Sequence, residues 1–178
     1  MKIYLDNAAT TRVRKEVVKE MERFMLYEYG NPSSQHELGT KARKAIDDAR
    51  MEIGKEIGAK PGEIYFTSGG TESNNVAILG LAKAERNKRT IIISEIEHPS
   101  VIEPCRELER KGYKIIKIGV GKEGIIDIDE LDKLIKKNAR DLLLVSIMHI
   151  NNIIGVVQEI EEIGKLCRKN KVLFHTDA

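Results

Sequence analysis

Apolar residues recur along this chain in two alternating rhythms. Short runs rich in Ile, Val, Leu or Tyr stand at Ile3–Leu5, Glu63–Thr67, Thr90–Ser94, Tyr113–Ile118, Leu142–Ile147 and Lys171–His175. Each has the length and near-continuous apolar character of a strand buried on both faces. Between them lie segments of helical period, over Lys15–Tyr29, Glu37–Ile57, Ser73–Arg86, Ser100–Lys111, Asp129–Lys137 and Glu159–Lys169. Within Glu37–Ile57, the residues Ala42, Ala45, Ile46, Ala49, Ile53 and Ile57 fall on one helical stripe suited to docking. Strands alternating with helices predict an α/β fold: a three-layer, mainly parallel sheet with helices on both faces. In such sheets ligands bind beyond the carboxyl ends of the strands, so the residues that follow each strand carry the functional information.

The boundaries agree with this division. Asp129 is an expected N-cap, with Asp132 in the first turn where a carboxylate suits the helix dipole. Gly58 and Gly112 follow helix ends at which a left-handed residue is favoured. The chain has no repeat, low-complexity stretch or Pro/Gly/Ser linker.

Composition narrows the function classes. The 178 residues suffice for one well-buried domain, and 41% hydrophobic with 33% charged residues is an ordinary globular balance. Thirty basic residues against 28 acidic ones leave a net charge of +2, which argues against a nucleic-acid or polybasic membrane partner. No apolar run approaches the roughly 20 residues needed to span a bilayer. The opening Met1-Lys2-Ile3-Tyr4-Leu5-Asp6 has neither a signal core nor a transit pattern, so a cytoplasmic location is expected. Cys105 and Cys167 lie far apart in helical segments and fit no CxxC spacing; half-buried, reduced thiols are expected rather than a disulfide, metal site or nucleophile.

Four clusters carry chemistry. In Phe66-Thr67-Ser68-Gly69-Gly70-Thr71-Glu72-Ser73-Asn74-Asn75 a strand passes through a glycine pair into a helix start, where free N–H groups and the dipole suit an anion. The cluster is a phosphate cradle or a plain capped turn. It is neither a Walker A loop nor a GxGxxG fingerprint. His98, in Glu95-Ile96-Glu97-His98-Pro99-Ser100, follows the Thr90–Ser94 run just before a Pro-started helix, a place where a histidine also serves as a cap. His149, Asn151 and Asn152 follow Leu142–Ile147, and paired amides there can also build a turn. Asp177 closes His175-Thr176-Asp177-Ala178, where it is a cap, a metal ligand or the partner of a cationic ring nitrogen. A metal site is disfavoured because these side chains lack the short spacing of metal ligands. Together, a phosphate cradle, a flat imidazole, an amide donor and an Asp on one sheet edge suit a phosphorylated pyridine.

At this point the chain resembles the cysteine desulfurase family, in the class-V aminotransferase branch of fold-type I enzymes dependent on pyridoxal phosphate (PLP). The resemblance runs the full length. It is carried by Tyr4-Leu5-Asp6-Asn7-Ala8-Ala9-Thr10-Thr11, Gly30-Asn31-Pro32-Ser33-Ser34 with His36, Phe66–Asn75, Glu97-His98, Ser146–Gly155 with Val157-Gln158, and Phe174–Ala178. It implies that residues 1–14 belong to a small domain or a dimer contact, and that 15–178 form part of the PLP-binding large domain. It further implies that Gly70 and Thr71 bind the PLP phosphate. His98 then stacks on the ring and takes part in proton transfer, Asn152 meets the ring hydroxyl, and Asp177 pairs with the ring nitrogen. The implied reaction converts L-cysteine to alanine and an enzyme persulfide, passed to an iron–sulfur scaffold protein by a homodimeric enzyme.

Two departures stand out. Ile153 occupies the place where the family has Glu after the paired asparagines, which removes a polar partner from the following loop. None of the lysines lies in the family's Ser-x-His-Lys setting, and neither cysteine matches the nucleophile. This chain by itself is therefore expected to be catalytically incomplete, a second chain being one possible source of the remainder. Three readings follow: a truncated or split desulfurase, a related class-V enzyme such as a selenocysteine lyase or aminotransferase, and a non-catalytic fragment used in binding or dimerisation.

Overall fold

The computed structural model describes residues 3–178. Met1 and Lys2, which open the expected 1–14 segment, lie outside the described residues. The chain divides into two compact units, the first ending at Phe66 and the second spanning Thr67–Ala178.

The first unit contains helices α1 (Lys15–Leu26) and α2 (Glu37–Ile57), followed by a 3₁₀ turn at Pro61–Glu63. The strands expected at Ile3–Leu5 and Glu63–Thr67 do not form. Both runs have strand-like composition, but a strand needs a neighbouring backbone for its N–H and C=O groups, and neither run pairs with one. The Gly30–Ser34 motif serves to start α2. Asn31 Oδ1 accepts from Ser33 N at 2.9 Å, and Ser34 N donates to Asn31 O at 2.9 Å. His36 caps the helix, its Nδ1 accepting from Gly39 N at 3.3 Å. A Cβ on Gly30 would stand 2.2 Å from Leu38 O, so only glycine lets the two backbones approach this closely. At the other end Gly58 adopts φ +70° and its N–H returns to Gly54 O, as the sequence predicts. The stripe of α2 is buried at Ala42, but Ile53 and Ile57 are exposed. No residue of α1 is buried, and its Val17, Val18, Met21, Met25 and Leu26 are all exposed.

The second unit is the sheet. Strands β1 (Thr90–Ser94), β2 (Lys114–Ile118), β3 (Leu142–Ser146) and β4 (Leu173–His175) pair in parallel in the order β2-β1-β3-β4. Helices α3 (Gly70–Ala84) and α4 (Pro99–Arg110) cover one face, and α5 (Ile128–Asn138) and α6 (Ile160–Lys169) cover the other. The alternation of β1 sends Ile91 and Ile93 to the α3/α4 layer with Ile78, Val101 and Leu108, and Ile92 to the α5/α6 layer with Leu131, Ile135 and Ile163. In β3 the register shifts where Thr90 pairs with Leu142 and Ile91 with Leu144. The extra residue lets Leu143 and Leu144 both enter the α3/α4 core, while Leu142 and Val145 enter the other. The architecture is the doubly covered parallel sheet that the alternation predicts.

One boundary is corrected. Asp127, not Asp129, caps α5: its Oδ1 accepts from Asp129 N at 2.8 Å and Glu130 N at 3.1 Å. Helical geometry begins at Ile128, which puts Asp129 inside the first turn and Asp132 beyond it, paired with Lys136. Gly112 takes φ +87° after α4, as expected. Among the described residues, no helix is long and apolar enough to cross a membrane.

Candidate functional site

Parallel strands align their carboxyl ends, and the segments leaving β1, β3 and β4 together with the start of α3 carry the candidate residues. Helix α3 begins at Gly70 with Gly69 as N-cap and no side-chain cap. The first-turn N–H groups of a helix have no partner within it and point outward with the positive dipole end. A Cβ at either Gly69 or Gly70 would meet nothing within 4 Å, so the approach to these groups is open. The turn is held from the side. Ser68 N and Oγ both donate to Glu72 Oε2 at 2.7 Å, and these bonds, the hydroxyl's first, lower the Glu72 pKa. Thr67 Oγ1 and Ser73 Oγ lie 2.7 Å apart. Gly70 and Thr71 are exposed at this opening.

After β1, Glu97 turns inward and His98 caps α4. Glu97 is only 5% exposed. Its Oε1 accepts from Ser94 Oγ at 2.6 Å and from Met148 N at 2.8 Å, tying the end of β1 to the segment after β3. Its Oε2 is buried without a partner. Burial pushes this carboxyl up to about 7, with the nearby Asp177 charge adding to the rise. His98 is partly buried, and its Nδ1 accepts from Ser100 N at 3.1 Å and lies 2.7 Å from Ser100 Oγ.

After β3 the two asparagines divide the work. Asn151 is buried: its Nδ2 donates to Ile96 O at 2.9 Å, and its Oδ1 accepts from Ile153 N and Ile154 N at 2.9 and 3.0 Å. This builds the turn, while Asn152 stands exposed with its amide available. After β4, Asp177 is partly buried and its carbonyl accepts from His149 N at 2.9 Å, which continues the β3–β4 pairing one step past the strand ends. Its charge acts on both Glu97 and His175. Of the residues singled out in the sequence, His98, Asn152 and Asp177 lie on the segments that leave β1, β3 and β4 at their carboxyl ends, while Gly70 and Thr71 open α3, whose Asn74 meets Ser100 and His175. Glu97 stands out in the sequence only as part of the Glu97-His98 motif. The signal for it is a second Glu two residues after Glu95, close behind a strand with three consecutive isoleucines.

The family model for class-V aminotransferases matches residues 3–178. The chain belongs to the class-V aminotransferase family. It is 50% identical over 177 residues to the cysteine desulfurase IscS of Dictyoglomus turgidum, covering 99% of this chain and 44% of that protein. Against the cysteine desulfurase IscS of Methanosarcina thermophila the identity is 48%, with 99% and 43% covered. Among solved structures, a NifS-like protein superposes with a TM-score of 0.94 at 41% identity, over 100% of this chain and 49% of that one. DndA from Streptomyces lividans does so with a TM-score of 0.85 at 39% identity, over 99% and 49%. The chain therefore spans about half the length of these class-V relatives.

Two details of this class-V chain bear on the departures noted in its sequence. Ile153 is 84% exposed, so its side chain anchors nothing. Asn151 and Gln158 hold the loop instead: Gln158 Oε1 accepts from Ile126 N at 3.1 Å and its Nε2 donates to Gly124 O at 2.7 Å. Cys105 and Cys167 are fully buried rather than half-buried, one in each helical layer. Burial raises their thiols to about 12 and about 11, where no nucleophilic thiolate forms at neutral pH.

Proposed function

We propose that this chain carries part of the cofactor site of a PLP-dependent cysteine desulfurase whose substrate is L-cysteine. The observation that carries the reading is the uncapped, open N-terminus of α3 at Gly69-Gly70-Thr71, set in one sheet unit with His98 and Asp177. An uncapped helix start with room above its glycines suits a phosphate, and a partly buried carboxylate suits a protonated ring nitrogen. The donor set thus fits PLP, which when bound supplies an electron sink for bond breaking at the amino acid's α-carbon. The identity to proteins named cysteine desulfurase supports cysteine as the amino acid and sulfur transfer as the outcome.

Each residue has a definite task in this reading. The Gly70 and Thr71 N–H groups and the Thr71 hydroxyl bind the phosphate. The Asp177 carboxylate keeps the ring nitrogen protonated. His98 lies against the ring face and moves protons through Nε2. The Asn152 amide donates to the ring hydroxyl oxygen. Residues 1–14 serve a small domain or a dimer contact, and 15–178 the large domain. A homodimer is supported by the apolar surface of α1, since contiguous exposed apolar residues mark interaction surfaces. An iron–sulfur scaffold protein as sulfur acceptor and a cytoplasmic location complete the proposal.

The test is a PLP titration followed by absorbance in the purified chain and in Asp177→Asn. The native chain is expected to bind one equivalent, and the variant to bind at least about tenfold more weakly, the loss of one charge-assisted hydrogen bond. Equal affinities would remove Asp177 from the site. The absence of any saturable binding would remove the cofactor reading for the chain taken alone.

A further inference from the structure

His98 is the end of a hydrogen-bond chain that crosses the unit. Ser146 Oγ in β3 lies 2.8 Å from His175 Nδ1, and His175 Nε2 lies 3.2 Å from Asn74 Oδ1 in α3. Asn74 Nδ2 donates to Ser100 Oγ at 2.8 Å, and Ser100 Oγ lies 2.7 Å from His98 Nδ1. Four secondary-structure elements contribute to it. Ser146, Asn74 and Ser100 are buried, so the bonds are shielded from water and an unmade one is costly.

Donor and acceptor chemistry gives the chain one direction. An amide oxygen only accepts, so His175 Nε2 must carry a hydrogen toward Asn74 Oδ1. Burial keeps His175 below the usual histidine range despite the charge of Asp177, so the ring is neutral near pH 7 and its Nδ1 accepts from the Ser146 hydroxyl. The Asn74 amide nitrogen only donates, which occupies Ser100 Oγ as an acceptor and turns the Ser100 hydroxyl hydrogen to His98 Nδ1. Ser100 N donates to the same nitrogen. With two donors aimed at Nδ1, the proton of neutral His98 resides on Nε2.

We propose that Asn74, Ser100 and His175 are positioning residues that hold His98 as the Nε2–H tautomer, with Nδ1 committed to Ser100 and Nε2 presented for proton exchange. The link to proton transfer rests on the reading of His98 as a cofactor-site residue. The tautomer itself does not, and it is a property of the chain without any ligand.

The experiment is a two-bond 15N–1H correlation of the histidine-labelled chain without PLP, at a pH above the histidine titration, with His98→Gln and His175→Gln supplying the assignments. His98 and His175 are both expected as Nε2–H tautomers. Asn74→Asp replaces the donor with an acceptor, so the Ser100 hydroxyl turns to the new carboxylate and its oxygen can accept from His98. At least about half of His98 is then expected as Nδ1–H. Ser100→Ala is expected to broaden or mix the His98 signals, and Ser100→Thr, which keeps the hydroxyl, to restore the single tautomer. A side chain that only fills space would leave these nitrogen shifts unmoved. A native His98 in the Nδ1–H form would overturn the proposal. So would a His98 that stays wholly Nε2–H in both Asn74→Asp and Ser100→Ala, because the Ser100 amide alone would then suffice. Should Asn74→Asp fail to fold, the native spectrum and the Ser100 pair decide. Failure of PLP to bind would leave this outcome untouched.

Discussion

Glu97→Gln is expected to remove a pH dependence of stability worth roughly 3 kcal/mol. Glu97 rises from an ordinary 4.5 to about 7 on folding, mainly through burial. Between these values the folded chain holds a proton that the unfolded chain has released, so stability falls as pH rises from about 4.5 to 7 and levels off above it. The shift of about 2.5 units converts at about 1.4 kcal/mol per unit, which sets the scale. His175 works in the opposite sense. Its folded pKa lies below the usual value, so its contribution is lost as pH falls below about 6.5. That term is present in both chains and drops out of their difference. Urea unfolding of native and variant chains at pH 5, 6, 7 and 8 measures it: the variant should gain on the native chain steadily up to pH 7. A difference that does not change with pH would mean that Glu97 is charged throughout.

Ile92→Ala should cost about 2–5 kcal/mol, against a negligible effect for Ile153→Ala. Ile92 lies in β1, which is paired on both sides, and its side chain has no exposure. It faces Leu131, Ile135 and Ile163 from α5 and α6, so its truncation leaves a void that two helices and three strands must share. Ile153 is 84% exposed and packs against no core. Both residues are isoleucines followed by another isoleucine, and their places in the fold separate them. Chemical denaturation midpoints of the two variants are the comparison, and similar losses at the two positions would contradict the packing described for β1.

Much of the sheet was legible because its two central strands, β1 and β3, are buried on both faces. Thr90–Ser94 and Leu142–Ser146 are short, mainly apolar runs between helical periods, and both appear where that pattern predicts. Ile3–Leu5 and Glu63–Thr67 have similar composition, yet strand formation depends on a partner that composition does not encode. The Asp127-Ile128-Asp129 stretch offers two capping carboxylates, and the choice between them depends on where the backbone first turns helical. The places of His98, Asn152 and Asp177 were legible because a parallel sheet gathers whatever follows its strands. The chain behind His98 was not legible. Asn74 and Ser100 are 26 positions apart, and Asn74 and His175 are 101 apart, so only the folded sheet brings them into contact.

The two cysteines acquire a use from their burial. Cys105 sits in α4 on one side of the sheet and Cys167 in α6 on the other, each 1% exposed. A thiol reagent can reach either one only when its own helix lifts away or the whole unit unfolds. The native chain therefore carries one chemical clock on each side of the sheet. Their relative rates of modification distinguish a unit that opens layer by layer from one that opens all at once.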